Sequence, residues 1–329
     1  MLSPQDPCWV ITDAAAGNQR QALALAEQLH RPFRHLLLEP RAPWSWLAPR
    51  LALGGRLALP DGQRTWFAPP WPAVAIGCGR AAALFTRMLR PLSGARCHTV
   101  QILDPRIDCT LWDTVIAPRH DALGGANVLQ PIGSLNPVDE QWLTSGREAC
   151  PDFNELPRPR TGVLLGGPRH GVALDARYAH GLAVHLLERQ RSDGGSLLVL
   201  ASRRTPAGVT EILRPLLKNV PGLLWAGRDD GPNPYPAVLG WADRLVVTPD
   251  SVNMLSEACA VGCPVLTWVS APLPARIARF HRVLRDHGLL HDIDSPSLAA
   301  QTPLRETARI ATLVHERILA GPVLPATYR

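Results

Sequence analysis

The sequence predicts an α/β protein of two doubly wound, Rossmann-like domains facing across a cleft. Short apolar runs rich in Val, Ile and Leu recur along the chain, and turns of Gly, Pro, Asp or Ser end most of them. Stretches with apolar residues at helical spacing follow several of these turns, the alternation that builds a parallel sheet with helices on both faces. An aperiodic proline-rich segment, EACPDFNELPRP at 148–159, divides the series in two. The organisation expected is therefore a first domain over 1–150, a linker over 151–159, a second domain over 160–305, and a C-terminal helix within 306–329 that packs back on the first.

The bulk composition fits this plan. Among 329 residues 46% are hydrophobic and 19% charged, enough for a sizeable core and too apolar for a disordered chain. The formal charge of +6 comes almost wholly from arginine, because Lys218 is the sole lysine. The arginines are scattered, with no block of five or more like charges, so a nucleic-acid arm is not expected. The net charge favours anionic partners such as phosphates or acidic lipid head groups. Seven cysteines without a CxxC pair argue against a disulfide framework and for a reducing cytoplasm. Neither Cys259 and Cys263 nor His281, His287 and His291 have the spacing of a zinc site, so no metal is expected. The start, MLSPQDPCWVITD, lacks a basic n-region, and no run of about 18 apolar residues occurs, so neither a signal peptide nor a membrane span is expected.

Cys8–Thr12 reads as the first strand, and the small-residue turn 13–19 leads into a helix with Ala22, Leu25, Ala26 and Leu29 on one face. Asp13, Asn18 and Gln19 stand at this turn, which is not the GxGxxG of a dinucleotide site. After a second strand at 33–38 comes PRAPWSWLAPRLALGGRLAL, where Trp44, Trp46, Leu47 and Leu51 alternate with Arg41, Arg50 and Arg56. Such a mixture suits a membrane interface, or equally a Pro-broken helix packing its own domain. A strand at 73–76 ends in Gly77-Cys78-Gly79-Arg80, where two glycines permit close approach and Arg80 can meet an anion. Strands at 98–103 and 114–117 end in polar turns, the second carrying His120 beside Asp121 as a candidate general base.

The second half begins afresh with a strand at 162–165 and the turn Gly166-Gly167-Pro168-Arg169-His170-Gly171. A long helical stretch with Leu182, Leu186 and Leu187 precedes a strand at 196–200, which ends in Ser202-Arg203-Arg204-Thr205-Pro206. Two guanidinium groups and two hydroxyls at a strand end are good phosphate chemistry, though a solvated turn needs no function. A strand at 222–226 leads to the loop RDDGPNPYPAVLGWAD, with a short helix over 235–242. The stretch LVVTPDSVNMLSEACAVGCPVLTW at 245–268 reads as strand, tight turn, helix and strand. Asp250 or Ser251 caps the helix, Val252, Leu255 and Cys259 give its apolar face, and Gly262 and Pro264 stop it. Asn253 and Glu257, four apart, share a face with Asp250 one turn earlier. A helix N-terminus beyond a strand's carboxyl end is a place for an anion, so this reads either as a nucleotide pocket, with Ser251 toward a diphosphate and Glu257 toward ribose hydroxyls, or as an ordinary capped helix. Helices at 275–284 and 307–319 complete the series.

ITDAAAGNQRQ, IGCGR, VQILDPR, DTVIAPRHD, SRRTP, NPYPAVLGWAD and VVTPDSVNMLSEACAVGCPV occur in the order found in bacterial relatives of the plant elongated-mitochondria fission proteins, which this chain resembles over nearly its whole length. That resemblance implies either a nucleoside-diphosphate-sugar epimerase, the label common among bacterial members, or a membrane-surface adaptor, as plant members are implicated in recruiting a dynamin-related protein. More distantly, the Gly166-Gly167 turn, ADRLVVTPDSVNMLSEA and the GCPV exit resemble the glycosyltransferase-B fold. This second resemblance implies a ribose-binding role for Glu257. Together with the polar residues read at the strand ends, the expected nucleotide-sugar site comprises Asn18, Gly166, Gly167, Ser202, Arg203, Arg204, Thr205, Asn233, Tyr235, Asp250, Ser251, Asn253 and Glu257. Asp13 or His120 would deprotonate the acceptor. The chain departs from that family in placing the Asp250 carboxylate where a phosphate would sit, and in lacking the histidine-bearing glycine loop of some members. The function expected is a metal-independent glycosyltransferase at the cytoplasmic face of a membrane. Its partners would be a nucleotide sugar and anionic lipid, with no cofactor and no nucleic acid. An epimerase is less favoured, because it is expected to need a nicotinamide cofactor and the Gly-rich fingerprint.

Overall fold

The computed structural model describes residues 7–296 and 299–321. The first six residues of the stretch read for a signal peptide, and positions 322–329 of the expected C-terminal segment, lie outside the described residues. The chain forms two compact units, Met1–Pro137 with Glu306–Arg329, and Val138–Arg305.

In the first unit the strands are β1 (Cys8–Thr12), β2 (Phe33–Leu37), β3 (Val74–Cys78), β4 (His98–Ile102), β5 (Thr114–Ile116) and β6 (Val128–Leu129), with helices α1 (Ala16–Gln28), α2 (Trp44–Leu47), α3 (Asp61–Arg64) and α4 (Arg80–Leu92) between them. All pairings are parallel in the order β2-β1-β3-β4-β5-β6, with Val10 between His35 and Ile76. Alternate residues of β1 serve opposite faces. Val10 joins Leu25, Ile76, Val100, Ile310 and Val314, whereas Trp9 and Ile11 join Leu59, Phe67, Leu84 and Phe85. The C-terminal helix, Thr307–Ala320, thus packs against α1 on the first of these faces.

The tryptophan and arginine stretch divides its side chains. Trp44 leans on the core and donates from Nε1 to the Leu53 carbonyl at 3.0 Å, while Trp46 is 74% exposed and Leu53 85%. Arg80 ties this segment to the carboxyl end of β3 by donating to the Ser45 carbonyl at 3.0 Å. Among the described residues no helix is long and apolar enough to cross a membrane.

The second unit contains α5 (Glu140–Ala149), β7 (Arg160–Leu165), α6 (Ala176–Asp193), β8 (Ser196–Ala201), α7 (Ala207–Leu216), β9 (Gly222–Trp225), α8 (Tyr235–Trp241), β10 (Arg244–Val247), α9 (Val252–Cys259), β11 (Val265–Thr267), α10 (Ala275–Asp286) and β12 (His291–Asp292). Its parallel sheet runs β12-β11-β10-β7-β8-β9, so the strand order reverses between β7 and β10. In such sheets the loops on either side of the reversal part, and a crevice opens beyond the carboxyl ends of those two strands. Val163, Leu165, Leu182, Val199, Leu213 and Val246 form the adjoining core.

The division between units falls earlier than the proline-rich segment suggests. The helix α5, capped by Asp139 accepting from the Trp142 N–H at 2.8 Å, packs on α8 within the second unit. The contact is close because residue 146 is glycine: a Cβ there would lie 2.4 Å from the Pro236 carbonyl oxygen. Trp241 then donates to the Cys150 carbonyl at 2.9 Å, so the segment expected to be a linker begins bound to this unit.

Candidate functional site

The loops that leave β7, β8 and β10 meet at the reversal point of the second sheet. Asp250, fully buried, is the residue around which they gather. Its Oδ1 accepts from the Thr248 hydroxyl at 2.7 Å, and its Oδ2 accepts from the Gly167 N–H at 3.1 Å and from Arg204 at 3.0 Å. Thr248 in turn accepts from the Gly166 N–H at 2.8 Å. A Cβ on residue 166 would stand 2.1 Å from Asp250 Oδ1, so glycine there is what lets the carboxylate in. Asp250, expected to share a ligand-facing side with Asn253 and Glu257, instead lies inside the turn, satisfied by neighbours because a buried charge must be.

The Ser202–Pro206 turn is bound to the same place. Thr205 donates its hydroxyl toward the Leu165 and Gly166 carbonyls, at 2.9 and 2.6 Å, and accepts from the Ser202 N–H at 2.8 Å. The hydroxyls of Ser202 and Thr205 are 3.1 Å apart. These two groups shape the turn. Both arginines read as phosphate ligands are exposed, and Arg204 also reaches Asp250.

Two further arginines join this locus. Arg169, from the loop after β7, donates to the Asp250 carbonyl at 2.9 Å. Burial lowers its pKa from the ordinary guanidinium range, and the positive charges of Arg276 and Arg204 lower it further, against the opposing pull of Asp250. Arg276 stands near the start of α10, whose Pro274 packs against Gly171 of the Arg169 loop. Arg169 lay within a motif the sequence displays; Arg276 carried no local signal.

His281 supports the locus from below. Its Nε2 lies 3.0 Å from the Pro249 carbonyl oxygen, and burial holds its pKa down at about 4. His287 is exposed and bonds the Val283 carbonyl, so the three histidines near this helix are not gathered. A base whose folded pKa is lowered costs stability below its unfolded value, because the unfolded chain takes up the proton first. The native state should therefore be unaffected above about pH 6.5 and lose roughly 2 to 3 kcal/mol from this group as pH falls toward 4. Denaturant unfolding at pH 7 and 4.5 should show His281→Gln losing less stability on acidification than the unaltered protein. Parallel losses would contradict it.

Ser251 caps α9, accepting from the Met254 N–H at 3.3 Å. Glu257, 2% exposed, accepts from the Tyr235 hydroxyl through Oε2. Tyr235 thereby joins α8 to α9, and Asn233 caps the start of α8, its Oδ1 accepting from the Tyr235 N–H at 3.0 Å. Asn253 is half-buried on α9. Two cavities of about 350 and 320 Å³ in this unit lie elsewhere, both beside Asp243 and Pro264 at the amino edge of the sheet.

In the first unit Asp13, Asn18 and Gly79 come together at the carboxyl edge, beside the strand reversal between β1 and β3. The Asn18 amide donates to both Asp13 oxygens, at 3.0 and 3.1 Å, and the Ala15 N–H donates to Oδ1 at 3.0 Å. A Cβ on residue 79 would lie 2.4 Å from Asn18 Nδ2, so the two turns touch through a glycine. Burial, helped by the Asp13 charge, raises the Cys78 thiol well above its ordinary range, which keeps it neutral. His120 is buried on the loop after β5, with Nε2 3.6 Å from Asp121 Oδ1.

The chain matches the model of the family described as Mitochondrial fission ELM1 over residues 16–318. It is 30% identical over 278 residues to Mitochondrial fission protein ELM1 of Arabidopsis thaliana, an alignment covering 76% of this chain and 64% of that protein. The chain thus spans less than two thirds of the plant relative's length. It is 26% identical over 298 residues to the uncharacterized protein RP120 of Rickettsia prowazekii (strain Madrid E), covering 78% of this chain and 81% of that one. Among solved structures, the UDP-GlcNAc 2-epimerase of Methanocaldococcus jannaschii superposes with a TM-score of 0.55 at 11% identity, over 94% of this chain and 99% of that one. The same enzyme has been solved with UDP-GlcNAc and UDP. Os79 from O. sativa, solved with U2F and trichothecene, superposes with a TM-score of 0.56 at 12% identity, over 95% of each chain. At such identities the likeness is one of fold.

Proposed function

The chain belongs to the mitochondrial fission ELM1 family, and from that premise and the geometry of its second sheet we propose that it is a nucleotide-sugar glycosyltransferase. The convergence of three carboxyl-edge loops and their arginines at the strand reversal carries this reading. It offers fixed positive charge where an α/β sheet opens a ligand crevice. The nucleotide's diphosphate would meet Arg203 and the guanidinium groups of Arg169 and Arg276, and Glu257 would accept from its ribose. The acceptor hydroxyl would attack the sugar's anomeric carbon while the bond to the diphosphate breaks. Asp13 or His120 would take the acceptor's proton, and the arginines would stabilise the departing nucleoside diphosphate without need of a metal. Proteins of this architecture are solved with UDP-GlcNAc, UDP or U2F, which agrees with the choice of donor class.

The epimerase alternative is not weakened by the missing GxGxxG, since a UDP-GlcNAc 2-epimerase shares the architecture. It differs in needing no acceptor, so product analysis separates it from transfer. Either enzyme should be stabilised by its nucleotide sugar in a thermal-shift screen, by about 2.7 kcal/mol at a ligand concentration 100 times the dissociation constant. An adaptor with a closed pocket should not respond.

A specific observation favours action at a membrane surface. Trp46, Leu47, Leu53 and Leu57 are exposed together with Arg50 and Arg56 on the segment that Arg80 fastens to the first unit. Trp46→Ser combined with Arg50→Glu should abolish flotation with anionic liposomes. Binding by the unaltered protein should weaken as salt rises from 0.1 to 1 M, where the Debye length falls from about 10 to about 3 Å. Equal flotation of both proteins would leave the patch without that role.

A further inference from the structure

Arg169, Arg204 and Arg276 are brought to one place by three separate elements, and the buried carboxylate of Asp250 is set among them. Each of these guanidinium groups, and that of Arg203 on the same turn as Arg204, brings one positive charge, and Asp250 takes one away. The diphosphate of a nucleotide sugar is a diester and carries two negative charges. The nucleoside diphosphate left after transfer has a terminal phosphate, whose second pKa near about 6 gives it a third charge at neutral pH. We propose that Asp250 is a specificity-determining residue, lowering the positive charge of the anion site by one and so holding the more highly charged product less tightly, relative to the diphosphate diester of the substrate, than an uncompensated arginine cluster would. The proposal rests on the nucleotide-sugar reading above.

The structural support is the way Asp250 is built in. The glycine at 166 makes room for it, and Thr248, the Gly167 N–H and Arg204 satisfy it, so its charge is fixed within the site. A mobile surface carboxylate would be swung aside by an incoming anion; this one has no space to move. Arg204 is held by it on one side while its side chain remains 53% exposed, so the same guanidinium retains donors for a ligand. In a low-dielectric pocket one added or removed charge at 5 to 10 Å changes the energy of a further ligand charge by enough for about a tenfold effect.

Asp250→Asn fits the same space, accepting from the Gly167 N–H and Arg204 through its oxygen and donating to Thr248 through its amide. Calorimetric titration would compare this variant and Arg276→Gln with the unaltered protein, using the uridine, guanosine or adenosine pair of nucleotide sugar and diphosphate that binds best. Asp250→Asn should shift the ratio of affinities about tenfold toward the diphosphate and deepen product inhibition, and Arg276→Gln should shift it about tenfold toward the nucleotide sugar. Ratios that stay fixed while both ligands bind would overturn the proposal and leave the nucleotide-sugar reading standing. Failure of the unaltered protein to bind any pair would overturn both. Should Asp250→Asn not fold, Asp250→Asn with Arg204→Gln decides: it removes both members of the buried pair and should leave the ratio as it is in the unaltered protein, whereas a tenfold shift toward the nucleotide sugar, as in Arg276→Gln, would overturn the proposal.

Discussion

Asp13→Asn is expected to leave donor binding intact and to lower turnover by about a hundredfold to ten-thousandfold, the range a positioned general base contributes. Asp13 stands at the first strand's carboxyl end, held by the Asn18 amide and the Ala15 N–H, so its oxygens are oriented and not free to wander. A carboxylate fixed in this way loses little entropy in reaching an acceptor hydroxyl. The substitution keeps the shape and removes the basicity. Because the donor site is assigned to the second unit, affinity for the nucleotide sugar should change little, and the loss should appear in kcat. Full activity in Asp13→Asn would transfer the role to His120, whose imidazole is buried beside Asp121.

The next largest effect is expected at the donor. Glu257→Gln should weaken nucleotide binding about tenfold to a hundredfold, since a hydrogen bond to a charged group is worth roughly 1.5 to 3 kcal/mol. Glutamine can still accept from Tyr235, so the fold should persist. Arg203→Ala should weaken binding without lowering the unfolding temperature, because Arg203 is exposed. Arg204→Ala should do both, because it takes away the guanidinium partner of a buried carboxylate. Equal unfolding temperatures in the two arginine variants would contradict the anchoring role given to Arg204.

The strands were legible because parallel strands buried on both faces must be apolar throughout, as Val74–Cys78 and Arg244–Val247 nearly are. The turns that follow them were legible for the same reason: a glycine or a cap must stand where such a strand ends. The edge strands Val128–Leu129 and His291–Asp292 were not read, since two residues have no periodicity and their pairing is set by a neighbour. The helix Glu140–Ala149 was not read, because only Leu143 and Gly146 are buried along it. Its allegiance to the second unit depends on Gly146 meeting Pro236, a contact between residues far apart in sequence.

The candidate site was legible by residue type and much less so by arrangement. Asp250, Ser251, Glu257 and the Ser202–Pro206 turn were all marked. What local spacing does not reveal is that Asp250 turns inward, that Ser202 and Thr205 spend their hydroxyls on each other and on the end of β7, and that Tyr235 already holds Glu257. Arg276 and His281 lie on a stretch read simply as helical, with His281 weighed for metal spacing alone, and their relation to Arg169 and Pro249 exists only once α10 has packed.

The most direct measurement is calorimetric titration of nucleotide sugars into the unaltered protein and into Glu257→Gln. The account predicts saturable binding of at least one nucleotide sugar at one site per chain, weakened about tenfold to a hundredfold by the substitution while the unfolding temperature is unchanged. Absence of binding by every nucleotide sugar, or equal affinity in the two proteins, would contradict a donor site at the second sheet's carboxyl edge.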